Sequence, residues 1–398
     1  MNVCRQKSYM DISLNNKKCG QSYWHMLDNK PLITNRGGAK LRSSNLELYR
    51  IVCMLMIVAH HYVVNSGLTA VDGPLRAAPL AANSIYLYLF GMWGKTGINC
   101  FLMITGYFMC TSKITVRKFL KLYLWVVFYG IVINGIFLAT GKLEFSPSLL
   151  FVFFPFGNIH SDNFVAAFMV WWLFIPFLNV LINNIDKRMH QLLMLLLVVV
   201  FTVYPFVPKV LNIEVNPICW FSTIYVIASY IRKYPESIYK SDSAKFWGLT
   251  SLALVVISMI SVVTILLLGN YLNRDVPQYY MVADSYMPLA LLVSVSTFMW
   301  FKNLRIPQSR LINAIGGSTF GVLLIHANSG TMRQWLWKDT IDCVGHYGLP
   351  LGQLIAYSCL SVLTIFAICT ILDRLRLKAV EEPLFRWWDE RKREVMNA

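Results

Sequence analysis

The chain has 398 residues, of which 56% are hydrophobic and only 14% charged, and it carries a net charge of +16. With a mean hydropathy of +0.52, this composition excludes an ordinary soluble domain and fits one multi-spanning, all-α integral membrane domain. The basic residues gather between apolar segments and form no groove-binding stripe, which argues against a nucleic-acid partner and for charge that orients the chain in a lipid bilayer.

Crossing a hydrocarbon core takes ~20 apolar residues. Ten segments meet that need: 46–66, 85–110, 118–139, 164–183, 188–207, 216–232, 245–268, 284–302, 310–327 and 350–371. Lys and Arg crowd every second connection, at 113–121, 187–188, 232–245, 302–310 and 374–393, while the alternate connections are nearly bare. Because basic loops stay on the cytoplasmic side, both termini are expected there, and ten spans satisfy that parity.

In chain order, residues 1–44 read as a polar, disordered cytoplasmic extension without the apolar core of a cleavable signal peptide. The domain proper is expected over 45–372. Its first helix carries Glu47, Arg50, His60 and His61. At ~3.6 residues per turn, the eleven steps from Arg50 to His61 make about three turns, so both side chains share one face, roughly 16 Å apart. Glu47, three residues before Arg50, is placed to hold the guanidinium. Taken singly, Arg50 could be an end anchor and His61 a core imidazole. Aligned, they read as an anion-binding group at a membrane entrance with an acid-base group above it. His60 points about 80° away and is expected to pack or to steady its neighbours.

The second span runs Gly94-Lys95-Thr96-Gly97-Ile98-Asn99 and on to Thr105-Gly106-Tyr107-Phe108, with small residues that allow close helix approach. Lys95 reads as an interfacial lysine or a substrate contact, and Asn99 and Thr105 as polar groups facing other helices. Arg117, Lys118 and Lys121 open the third span, either as charge anchors or, beside Arg50, as a pocket for a polyphosphate. In the fourth, Trp171 and Trp172 precede Pro176 and serve as interface anchors or a sugar-stacking surface. His326 closes the ninth span. Beyond it, residues 373–398 mix aromatic and charged side chains and are expected to lie along the inner interface as a basic amphipathic tail. The cysteines lie mostly in spans, so disulfides are not expected to organise the fold, and no zinc spacing or phosphate loop marks a metal or nucleotide site.

Several of these stretches resemble the membrane acyltransferase 3 family. Arg50 with a ten-residue gap to His61 looks like its Arg-x10-His signature, and Phe101-Leu-Met-Ile-Thr105-Gly-Tyr-Phe108 its FFxxSGY stretch, with threonine for serine. Lys118-Phe-Leu-Lys121 stands where that family has Arg-x-x-Arg, which keeps the charge and loses the bidentate fork. Thr319 to His326 is similar to its TFGIYLIH stretch, and Glu382-Pro-Leu-Phe385 to its usual ending. The resemblance covers roughly 45–386 and implies O-acyl transfer in the inner or plasma membrane of a bacterium. The implied donor is acetyl-CoA, and the acceptor is a hydroxyl of a cell-surface glycan or lipid-linked saccharide.

On that reading the catalytic group is His61 with Arg50, Glu47 and His326, and Arg50, Arg117, Lys118 and Lys121 meet the phosphates of CoA. Lys95, Asn99, Thr105 and Trp172 are the substrate-side residues. The rival reading is a secondary transporter or flippase for a glycolipid or small acid, in which the same intramembrane charges carry substrate and protons. Acceptor specificity would fall to outer loops, where Asp162, Arg274, Asp284 and Arg333 stand out.

Overall fold

The computed structural model describes residues 43–156, 163–207, 215–274 and 276–397. The expected N-terminal extension and Asp162 thus fall outside the described residues, apart from Ser43 and Ser44. Among the described residues the chain is helical and forms no strand. Helix α1 (Ser44–Val64) is followed by α2 (Ala82–Gly91), α3 (Gly94–Met109), α4 (Val116–Ala139), α5 (Phe164–Asn184) and α6 (Lys187–Phe206). Then come α7 (Pro217–Lys233), α8 (Ala244–Tyr271), α9 (Pro288–Asn303), α10 (Arg310–His326), α11 (Gly330–Thr340), α12 (Leu351–Arg376) and α13 (Glu382–Asn397).

Local chemistry sets many of the helix starts. Thr115, Asn163, Asp186, Ser243 and Ser309 each accept a backbone N–H of the turn they precede, at 2.7–3.3 Å, which satisfies a donor the helix cannot. Asn216 caps α7 in the same way ahead of Pro217, whose missing N–H costs nothing at a first turn.

Among the described residues, six helical stretches are long and apolar enough to cross a membrane: α1, α4, α5, α6, α8 and the run Leu351–Arg391. A seventh arises if α10 and α11, bent by 94° at their junction, count as one. The other expected spans are helical but shorter, α7 with 17 residues and α9 with 16. The stretch expected as one span over 85–110 is broken into α2 and α3. The cause is His60, which occupies the gap. Its Nδ1 donates to the Gly91 carbonyl at 2.6 Å, satisfying an acceptor that helix continuation would have used, and its ring lies where a Cβ on residue 94 would stand.

Helix α1 is central, packing against α2, α3, α9, α10 and α12, and α3 joins it to α7 and α9. Helices α4, α6 and α8 lie outside and expose Leu, Ile and Val along most of their length. The tail expected to begin at 373 is continuous with the last span. Helix α12 runs into a π-type turn at Leu377–Glu381 and then α13, whose Phe385 is buried while Leu384, Trp387 and Trp388 stay exposed.

Candidate active site

Helix α1 places Glu47, Arg50 and His61 on one side as its periodicity requires. Glu47 is buried and meets the Arg50 guanidinium at 3.3 Å. It reaches that position because α10 offers Gly316 there: a Cβ on that residue would lie 2.6 Å from Glu47 Oε2.

At the other end of the same two helices, His61 Nδ1 lies 2.9 Å from His326 Nε2. His326 is buried, and its Nδ1 sits 2.6 Å from the Val322 carbonyl of its own helix. A carbonyl only accepts, so His326 carries its proton on Nδ1, and in the neutral ring Nε2 is then an acceptor. With both rings neutral, His61 donates from Nδ1 to His326 and keeps the lone pair of Nε2 for chemistry. Trp337 of α11 closes the far side edge-on to His326, ring centroids 6.4 Å apart at 86°. The structure therefore brings together four residues that sequence reasoning grouped, Glu47 with Arg50 and His61 with His326.

The basic residues that open α4 are engaged differently. Arg117 Nη2 meets Asp389 of α13 at 2.6 Å, and Lys121 Nζ meets Glu381 at 3.4 Å. Both cations also lie over the ring of Phe385, at 5.5 and 4.7 Å. Lys118 donates to the Lys113 carbonyl at 2.7 Å. Beneath this clasp Asp373 is buried and accepts from Trp125 Nε1, Tyr129 Oη and Arg376 Nε at 2.8, 3.1 and 3.0 Å. Arg376 then reaches Glu381 at 2.8 Å. Sequence reasoning missed Asp373, Arg376 and Glu381. The available signal was an acid and a base three residues apart at the end of an apolar helix, where each is costly without a partner.

Of the substrate-side residues, Lys95 faces Asp284 at 3.9 Å. Asn99 is buried, donating to the Ser285 carbonyl at 2.6 Å and accepting from Trp220 Nε1 at 2.9 Å. Thr105 returns its hydroxyl to the Phe101 carbonyl of its own helix, and Trp172 is buried with its ring against Phe119. Those two are not brought to the histidine pair.

Searches among curated proteins and among solved structures found no match. A profile of the acyltransferase 3 family, described as an acyltransferase domain, matches residues 43–373. The match begins just before α1, ends on buried Asp373 and takes in both members of the histidine pair. The chain belongs to the acyltransferase 3 family and is a multi-pass membrane acyltransferase.

Proposed function

We propose that the chain moves an acetyl group from acetyl-CoA, bound from the cytoplasm, to a hydroxyl of a cell-surface glycan or lipid-linked saccharide in the cell membrane. The observation that carries this reading is the 2.9 Å contact between His61 and His326 at the end of the helix whose start holds the Glu47–Arg50 pair. Arg50 has the charge to meet donor phosphates, with Arg117, Lys118 and Lys121 as further anion contacts that Glu381 and Asp389 compete for. The arm of the donor then follows α1 toward His61.

His61 Nε2 takes the proton of the acceptor hydroxyl as its oxygen attacks the thioester carbonyl. His326 accepts from Nδ1 throughout and steadies the imidazolium that forms. The C–S bond breaks, and the imidazolium returns its proton to the departing sulfur, so ester and free thiol leave a neutral His61. In this arrangement α2–α3, α7 and α9 complete ten crossings with both termini cytoplasmic.

The test is restoration of base-labile O-acetyl groups on the surface glycan of cells lacking this chain. Wild type is expected to restore them, and His61→Ala at equal level to lower the rate by roughly 10²–10⁴-fold, the share of a general base. Full acetylation by His61→Ala would remove the base assignment. Failure of wild type in a host whose glycan bears the group would favour transport.

A further inference from the structure

Acyl transfer puts a negative charge on the thioester carbonyl oxygen, and a hydrogen-bond donor already in place for that charge is commonly the largest single aid to the reaction. Such a donor has to lie beside His61, out of bulk water, and not be spent on another bond. Helix α1 supplies one. Asn65 follows His61 by four residues, and its backbone N–H donates to the His61 carbonyl at 3.1 Å, so the chain makes one more helical turn past Val64. Four residues advance roughly 6 Å along the axis and about 40° round it. Side chains on a helix lean back over the turn before their own, which sets the Asn65 carboxamide over the His61 imidazole.

That carboxamide is not a helix cap. Polar side chains at a helix end commonly bond to the last open carbonyls. Ser66 Oγ does so, donating to the Val63 carbonyl at 3.1 Å, and beyond α10 Asn328 Nδ2 donates to the Leu324 carbonyl at 2.9 Å. Asn65 Nδ2 is buried too, yet it bonds to no group among the described residues. A buried donor left so costs about 1–3 kcal/mol, and in a native fold it calls for a reason. The residue as a whole is only half-buried, as is His61, so both stand where a ligand can reach them.

The neighbouring donors do not compete for the role. His326 has none to spare, since Nδ1 serves the Val322 carbonyl and Nε2 accepts from His61. Trp337 Nε1 is also buried without a partner among the described residues. Its ring meets Tyr62 and His326, with centroids 5.9 and 6.4 Å away, and so borders the member of the pair that takes no proton from substrate.

We infer that Asn65 Nδ2 donates to the thioester carbonyl oxygen in the tetrahedral intermediate while His61 holds the proton of the acceptor hydroxyl. The role rests on the transferase reading. As the acceptor oxygen bonds to the carbonyl carbon, the π pair of the C=O bond moves onto the oxygen, and the Asn65 amide meets the charge. When the C–S bond breaks, that pair returns to the C=O bond, the sulfur takes the proton from His61, and Asn65 keeps the hydrogens it began with.

Single-turnover release of the CoA thiol tests this in inside-out membrane vesicles from a host whose glycan bears the group, with the full chain as wild type, Asn65→Leu or Asn65→Asp. Both changes nearly keep the size of the side chain; the first removes the donor and the second puts an acceptor in its place. With acetyl-CoA each is expected to lower the rate by about 10²–10³-fold, the effect of one oxyanion donor. The half-saturating donor concentration is expected to stay within about twofold, since the lost interaction belongs to the transition state and the fold is kept.

The second donor is dithioacetyl-CoA, in which sulfur replaces the carbonyl oxygen. Sulfur is a weak hydrogen-bond acceptor, so there the variants are expected to lose less than about fivefold. An equal loss with both donors would make Asn65 a structural residue and overturn the inference. Full activity of Asn65→Leu with acetyl-CoA would overturn it as well. No thiol release by wild type would sink the transferase reading itself, a result separate from any difference among the variants.

Discussion

The histidine pair draws its chemistry from one carbonyl. Val322 fixes the proton of His326 on Nδ1, and that choice passes to His61 through the 2.9 Å contact. Loss of the acceptor leaves the His61 ring free to turn or to take the other tautomer. His326→Leu is therefore expected to lower kcat by about ten- to a hundredfold, the equivalent of ~1.5–3 kcal/mol for a hydrogen bond to a charged group, with donor KM little changed. His326→Gln, whose side-chain oxygen can accept from Nδ1, is expected to recover part of the rate. An equal fall in both variants would count against orientation through Nδ1. Arg50, His61 and Glu47 were legible because helical period alone aligns them, and His326 because it closes a stretch similar to the family's. Asp284 was legible only as a polar residue in a loop, since nothing local says that it faces Lys95, 189 positions earlier.

Among the elements, α13 is the least expected in what it does. Its acidic residues and Phe385 sit on the cations of α4, so the proposed phosphate contacts are already occupied by carboxylates of the same chain. Arg117 and Asp389 are both well exposed, so their pairing contributes little to stability, on the order of 0–1 kcal/mol. The double variant Glu381→Gln with Asp389→Asn is expected to stay folded, because Asp373 still holds Arg376, and to lower donor KM by roughly three- to tenfold. An unchanged or raised donor KM in a folded double variant would show that α4 does not meet the donor. The basic run that opens α4 was legible from composition, whereas its acidic partners lie some 260 residues away in sequence. The break between α2 and α3 was hidden for a related reason. The apolar run is continuous, and what divides it is an imidazole from a different helix.

For the whole molecule, the division between helices that pass a simple span criterion and those that do not follows burial. Helices α4, α6 and α8 face outward and must be apolar throughout, so sequence marks them plainly. Helices α3, α7 and α9 are enclosed by others and carry buried Asn99, Thr223, Ser229 and Ser294, which blunts their hydropathy and shortens the apolar stretch. The number of crossings is thus best read by labelling. In a chain with its nine cysteines changed to serine, a membrane-impermeant maleimide is expected to label Lys142→Cys, after α4, on intact cells. Asp242→Cys, ahead of α8, is expected to react only once the membrane is opened. Labelling of both from outside would reverse or break the proposed topology.

The rigidity of α1 has a further consequence. With Arg50 and His61 on one helix, the anion contact and the base are held roughly 16 Å apart whatever the rest of the bundle does. That interval is a gauge. A thioester whose anionic end lies nearer than this to its carbonyl can touch one group or the other but not both, and forfeits what the guanidinium contributes. Choice among donors then falls on the reach of the molecule, and the acyl group it delivers is judged separately, at the far end of the helix.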